Sequence, residues 1–250
     1  PSTPDARRLD RAAARTLPTI ASVPIAYRDA ARILESMPGV DAPQSWRPPA
    51  LASARVGPGP RVHVVVHNDE ATRPIWTIVG RINGADDPDH VVVVGNHRDA
   101  WTYGGVDPSS GSAVLMDVVR GFGALLRAGI RPKRSIVFAS WDAEEYALTS
   151  STEWGEEHEV DLRDSAVAYL NADAAVAGQT LALKAVPPLA GFVAEVAETD
   201  VRHIDTRIGA GSDYNVFLDF LGVPIADFRF EGPYEAYHTA RDDHEWVSRV

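Results

Sequence analysis

The chain has 250 residues, 45% of them hydrophobic and 24% charged, which is enough for one sizeable domain with a real core; no run approaches the roughly 20 apolar residues of a membrane span. A formal net charge of −11, from 24 Lys+Arg against 35 Asp+Glu, disfavours nucleic acid and anionic membranes as partners. With no cysteine, disulfides, thiolate metal sites and a cysteine nucleophile are excluded, so any metal must be held by imidazole and carboxylate.

The opening "PSTPDARR" lacks the basic-then-apolar pattern of a signal peptide. Ala30, Ile33, Leu34 and Met37 keep the i, i+3, i+4, i+7 spacing of a helix closed by Pro38, and the Pro/Gly-rich run 41–61 reads as a linker or the tail of another domain. Residues 1–56 therefore stand apart from 57–250. From Arg61 the segments "VHVVVHN", "IWTIVGRI" and "HVVVVGN" predict strands, with a turn at "NGADDPD" before the third. Val91 to Val94 are apolar at every position, as in a strand covered on both faces. Next, Val114, Leu115, Val118, Val119, Phe122, Leu125 and Leu126 form one helical stripe. The strand "SIVFASW", a helix near 145–157 and the strand "SAVAYLNAD" follow. This alternation predicts an α/β fold: a mixed, mostly parallel central sheet with helices on both faces.

In such sheets binding groups collect beyond the carboxyl ends of the strands. Three predicted strands end there in His97, Arg98 and Asp99, in Asp142, Glu144 and Glu145, and in Asp173. Imidazole and carboxylate together suit a borderline divalent cation, and two ions about 3.5–4 Å apart need a bridging carboxylate. Asp107, in the Gly/Pro-rich "YGGVDPSSG", is available for that bridge. Glu144 and Glu145 point in different directions at a strand-to-helix turn, so one can bind metal while the other takes a proton. Singly, each residue has a plainer role. A strand-end Asp is commonly a cap or turn residue, and a Glu pair at a helix start complements the helix dipole. His238 alone reads as a surface or core histidine, His63 and His67 as a solvated strand face, and His158 and His244 as members of exposed charged runs. Only the joint pattern points to metal.

The segments "GNHRDAWTYGGVDPSSG", "SIVFASWDAEEYALTSSTEW", "YLNAD", "GAGSDYNVFLDFLGVP" and "YHT" resemble, in order and spacing, the glutamate carboxypeptidase II and transferrin receptor-like family of metallopeptidases. The similarity runs from about residue 17 to the end. It implies two zinc ions per chain, His97 and Asp173 on one, Glu145 and His238 on the other, with Asp107 bridging. Glu144 matches the general base and Tyr237 a phenol that helps hold the developing oxyanion. Asp99 matches the carboxylate that orients a metal-bound imidazole. Glu153 and Glu156 match a structural calcium site whose remaining ligands would lie upstream of residue 1. The resemblance also implies a chain that is part of a longer protein. Residues 1–56 would be the tail of a protease-associated apical domain and 57–250 an incomplete catalytic domain, without a C-terminal helical dimerisation domain. The full-length parent is expected to be a homodimer, secreted or membrane-anchored outside the cytoplasm, acting on small peptides.

Two positions depart from the pattern. Relatives that cleave acidic dipeptides hold the terminal glutamate with an arginine patch. Arg229 matches one of those arginines, but Asp227 stands where another would be, and Ser212, beside Gly211, replaces an asparagine of that pocket. An acid there repels a substrate carboxylate and favours a free amine. The expected function is therefore a co-catalytic dizinc exopeptidase, glutamate carboxypeptidase-like. The alternatives are an aminopeptidase of the same fold, a catalytically inert receptor-like binding protein, and a single-zinc acyl transferase such as a glutaminyl cyclase.

Overall fold

The computed structural model of the chain describes residues 7, 9–15, 17–47, 54–69 and 71–249. They form two compact units, Arg7–Arg73 and a larger one from Pro74 onward. In the smaller unit the expected helix is α1, Tyr27–Glu35, ending ahead of Pro38, where Ser36 Oγ donates to the Ile33 carbonyl at 2.8 Å. Strand β1, Val40–Asp41, pairs antiparallel with β2, Arg55–Val56. The opening residues 1–6 and 8, and residues 48–53 of the expected linker, lie outside the described residues. The predicted strand 62–68 is not one: these residues are exposed and in no ladder. A strand is held by its partners more than by its own composition, and alternating Val and His supplies only the latter. The two compact units part after Arg73.

The larger unit is built on a seven-stranded sheet. Its strands are β3 (Ile78–Ile82), β4 (Asp87–His97), β5 (Arg134–Trp141), β6 (Ala166–Asn171), β7 (Thr180–Ala185), β8 (Ile204–Asp205) and β9 (Ile225–Glu231), in the order β3-β5-β4-β6-β9-β7-β8. The four-strand centre β5-β4-β6-β9 is parallel; β3 and β7 join antiparallel, and β8 runs parallel to β7. The helices are α2 (Ser109–Arg127), α3 (Thr149–Glu157), α4 (Glu159–Ser165), α5 (Pro187–Val196) and α6 (His244–Val247), with a π-helical turn at Val216–Phe220.

Side-chain alternation distributes the core between the two faces. Val137, Ala139 and Trp141 of β5, with Val91, Val93, Tyr169 and Ile225, pack under Trp154, Leu162 and Phe217. Ile136 and Phe138 turn to the opposite face against Leu115 and Phe122 of α2. Fully buried Phe217 stacks on Tyr169, ring centres 4.1 Å apart, and also meets Trp141 and Trp154. The predicted stripe on α2 is only partly used: Leu115 is buried and Phe122 packs on the core, whereas Val114, Val118, Val119 and Leu125 remain exposed. Leu115 and Phe122, seven apart, are the members of the stripe packed on this side of the sheet.

Parallel order brings the ends of β4, β5 and β6 together, and polar clamps hold them there. Asn96 Nδ2 donates to the Ala172 carbonyl at 3.0 Å, and Ser112 Oγ, in the first turn of α2, donates to Asn96 Oδ1 and to the His97 carbonyl. Arg98 reaches the Ser140 carbonyl, Asp142 and the Trp76 carbonyl. Gly111 lies so close to β6 that a Cβ would meet the Ala172 and Asp173 carbonyl oxygens at 1.8 and 2.1 Å. Backbone on both sides leaves no room to give. Gly111→Ala should therefore cost about 1–3 kcal/mol, as overpacking does. Because the strain falls on residue 173, it should also weaken divalent-metal binding; urea titration and zinc titration check the two effects separately.

Candidate active site

Beyond the carboxyl edge of the sheet the structure brings together His97 from the end of β4, Asp107 from the loop before α2, Glu144 and Glu145 after β5, Asp173 after β6 and His238 near the end of the chain. Their candidate donor atoms fall into two groups, His97–Glu144–Asp173 and Asp107–Glu145–His238, each with all atoms within 4.8 Å of one another. Asp107 joins the groups. Its Oδ1 is 3.3 Å from His97 Nε2 and its Oδ2 is 3.1 Å from His238 Nε2. His97 Nε2 is also 2.9 Å from Asp173 Oδ1 and 4.0 Å from Glu144 Oε2, and His238 Nε2 is 3.3 Å from Glu145 Oε2.

The turn carrying the two glutamates is shaped by backbone. Ala143, Ala147 and Leu148 all have left-handed φ, 53°, 66° and 55°, which is unfavourable for residues with a Cβ and is associated with functional turns. Helix α3 consequently begins at Thr149, so the Glu pair precedes the helix instead of complementing its dipole at the start. Asp99 holds this turn: its Oδ1 accepts from the Glu144 N–H at 3.0 Å and its Oδ2 from the Glu145 N–H at 3.2 Å. The imidazole of His97 meets Asp99 mainly through the main chain, Nδ1 lying 3.0 Å from the Asp99 carbonyl oxygen and 3.6 Å from its carboxylate. A carbonyl only accepts, so Nδ1 carries the proton and Nε2 is left to face the site. The expected orienting role of Asp99 thus belongs to its carbonyl, and its carboxylate secures the glutamates.

Asp173 is fixed by a buried polar chain. Trp141 Nε1 donates to Tyr169 Oη, which donates to Asn171 Oδ1; Asn171 Nδ2 donates to Ser212 Oγ, and Ser212 Oγ donates to Asp173 Oδ2 at 2.6 Å. Ser212, expected to contact substrate, spends its hydroxyl orienting Asp173. Gly211 takes φ 107°, which a side chain rarely tolerates. Asp242, only 2% exposed, steadies the Asp107 loop by accepting from the Val106 and Asp107 N–H groups at 2.8 and 3.1 Å, and from Tyr234 Oη. Tyr237 stacks on His238 with ring centres 3.8 Å apart. Its phenol is pushed up to about 12 by burial and by Asp107, so it stays a proton donor at neutral pH.

Concentrated acid is costly here. Burial raises Glu144 to about 8, aided by Asp173 and Asp213, and raises Glu145 to about 7, aided by Asp107. Buried Asp213, whose oxygens have no hydrogen-bond partner, is raised by burial to about 7. Burial opposes the charge of His97, yet the surrounding carboxylates of Asp107, Asp173 and Asp99 raise its pKa well above the ordinary value. Asp107 Oδ1 and Glu145 Oε1 are buried without hydrogen-bond partners. Orphaned carboxylate oxygens aimed between imidazoles are what a bound divalent cation satisfies, so the donor set fits zinc or a similar ion.

Elsewhere, Glu153 and Glu156 sit three apart on α3, but among the described residues they join no group of three candidate ligands. His63, His67 and His244 are exposed. His158, expected in an exposed run, is half-buried and stacked on Trp154 at 4.5 Å. Asp242 and Asp213 were not singled out in the sequence. The run "ARDDHEW" reads as solvated charge, and nothing local marks one of its aspartates as buried.

A mixed α/β sheet thus presents two linked carboxylate–imidazole groups beyond its carboxyl edge. Residues 77–249 match the model of Peptidase family M28, and the chain belongs to that family. It is 38% identical to the probable glutamate carboxypeptidase AMP1 of Arabidopsis thaliana over 95% of this chain and 37% of that protein. It is 34% identical to the aminopeptidase NAALADL1 of Mus musculus, over 100% of this chain and 40% of the relative. The chain thus spans little more than a third of the length of these relatives. Among solved structures, the zinc aminopeptidase BSAP of Bacillus subtilis shares the fold, with a TM-score of 0.54 at 21% identity over 68% of this chain and 44% of that one.

Metal-free protein should become less stable as pH rises from about 4.5 to about 8. Glu144 and Glu145 hold protons in the folded state that they have released when unfolded, and His97 does likewise above about 6.5, so the folded state binds more protons across that window. Thermal melts in EDTA should fall over this range, and zinc should raise the midpoint most at its upper end. A flat profile, or no response to zinc, would contradict the assignment.

Proposed function

We propose that this chain carries the catalytic site of a co-catalytic dizinc exopeptidase that trims small peptides. The observation that carries the reading is Asp107, whose two oxygens each lie beside a different histidine. His97 and Asp173 would hold one ion, Glu145 and His238 the other, and Asp107 both. Ions bound there would supply Lewis acidity, making a water acidic near neutral pH and polarising the scissile carbonyl. They would also return Glu144 to its ionised form by offsetting the burial that raises it. Glu144 then accepts the water's proton and delivers it to the departing amine nitrogen, while the Tyr237 hydroxyl donates to the carbonyl oxygen as it gains charge. Asp99 keeps Glu144 aimed through its backbone N–H.

The named relatives support both a glutamate carboxypeptidase-like and an aminopeptidase activity. The second is favoured by the pairing of Arg229 with buried Asp227, which offsets the one arginine where a patch of arginines would serve an acidic terminus. An inert receptor-like role is disfavoured by ligand-competent residues at all five metal positions. On the sequence resemblance alone we also propose residues 1–56 as the tail of an apical domain and 57–250 as part of a catalytic domain. From the sequence resemblance we further propose a homodimeric parent that works outside the cytoplasm and carries calcium at Glu153 and Glu156. Among the described residues no helix is long and apolar enough to cross a membrane.

Glu144→Gln should lower turnover about 10²–10⁴-fold, the range of a lost general base, with zinc content near two per chain. Activity within a few-fold of wild type would remove Glu144 from this role, and a content of one zinc would overturn the two-metal reading.

A further inference from the structure

A cavity of about 280 Å³ opens beside the two metal groups, with Asp107 and Asp173 in its wall, and strand β9 forms another side. Along β9 the sequence "DFRFE" alternates, so Asp227, Arg229 and Glu231 share one face. The three charges are not equivalent. Asp227 is 2% exposed and fully engaged: Oδ1 accepts from Asn171 Nδ2 at 2.9 Å, and Oδ2 accepts from Arg229 Nε and Nη2 at 3.2 and 2.7 Å. It cannot turn to a substrate amine. Arg229 is tied to that buried carboxylate, and its Nε is also 3.8 Å from Glu231 Oε1. One guanidinium therefore stands between two carboxylates. Lys184, opposite Asp227 in the β7–β9 register, is not part of the cavity wall.

Setting aside the metal ligands, the wall carries a net charge of −1, from Arg229 against Asp227 and Glu231. Glu231 is its outermost acid, with a side chain 53% exposed. The rings of Tyr234 and Tyr237 complete the wall, and aromatic faces attract cations. An incoming carboxylate meets an arginine whose charge is already offset, whereas an ammonium meets an available carboxylate and two aromatic rings.

We infer that Glu231 is a specificity-determining residue that selects substrates bearing an ammonium group beside the scissile bond, supplied by the α-amine or by a basic side chain. The inference rests on the peptidase reading above and names its substrate class. Asp227 acts through Arg229, holding it neutralised.

The test uses zinc-loaded protein and a matched set of dipeptides with Lys, norleucine or Glu on either side of the scissile bond, each with a free or an acetylated amino terminus. Lys should exceed norleucine, and norleucine exceed Glu, in kcat/KM on one side if a side chain is read; acetylation should abolish the advantage if the α-amine is read. For a half-exposed ion pair the preference should be about two- to fivefold per step. Glu231→Gln should remove it and Glu231→Arg invert it. Calorimetric binding of lysinamide against norleucinamide, and of norleucinamide against hexanamide, reads the same preferences without turnover. Ratios unmoved by both variants, or acidic peptides preferred by wild type, would overturn the inference. No cleavage of any peptide, with the binding ratios intact and sensitive to Glu231, would instead overturn the peptidase reading.

Discussion

Like-charge repulsion among buried carboxylates is the constraint around which this structure is organised. Asp107, Glu144, Glu145, Asp173 and Asp213 crowd two imidazoles in a region largely shielded from water, and burial drives Glu144, Glu145 and Asp213 toward their neutral forms. No fold keeps such an arrangement for its own stability, because burying an uncompensated charge costs more than almost any local contact returns. The orphaned oxygens of Asp107 and Glu145 show where compensation is missing. Divalent cations would supply it, and the same compensation would return Glu144 to its ionised form.

Much of the surrounding sheet works to hold these groups against their repulsion. The buried chain from Trp141 through Tyr169, Asn171 and Ser212 ends on Asp173 and uses each donor once. Asp99 and Asp242 perform parallel tasks from opposite sides, each offering both carboxylate oxygens to the backbone of a ligand-bearing loop. Hydrogen bonds from main-chain N–H groups to a carboxylate are among the stronger kind, and they direct both loops even though the Asp99 charge adds to the repulsion on Glu145. His238 adopts a left-handed φ of 55°, a local cost borne where side-chain direction matters most.

The substrate side shows the same economy in a different form. On β9 a single arginine is shared between two acids, and the one acid that is buried determines what the other can do. A reading from residue types alone assigns Asp227 to the substrate; its burial and its contacts with Asn171 and Arg229 move that task to Glu231, which carries no motif. Ser212 lines the same cavity and also supports Asp173.

His238 was expected only from the family resemblance; the residues by themselves determined the α/β alternation, the strand ends carrying His97, Glu144, Glu145 and Asp173, and Asp107 in its Gly/Pro-rich loop. Those features are local: hydrophobic periodicity sets which face is buried, and strand ends deliver polar residues to one edge. Tertiary structure decided the rest. Segment 62–68 has strand composition but finds no ladder, and the stripe on α2 is apolar beyond the area the sheet can cover. His158 stacks on a tryptophan, and one aspartate of a charged run is buried. Each of these depends on partners distant in sequence, and burial, ladder pairing and charge neutralisation are properties of pairs that a residue and its neighbours along the chain do not contain.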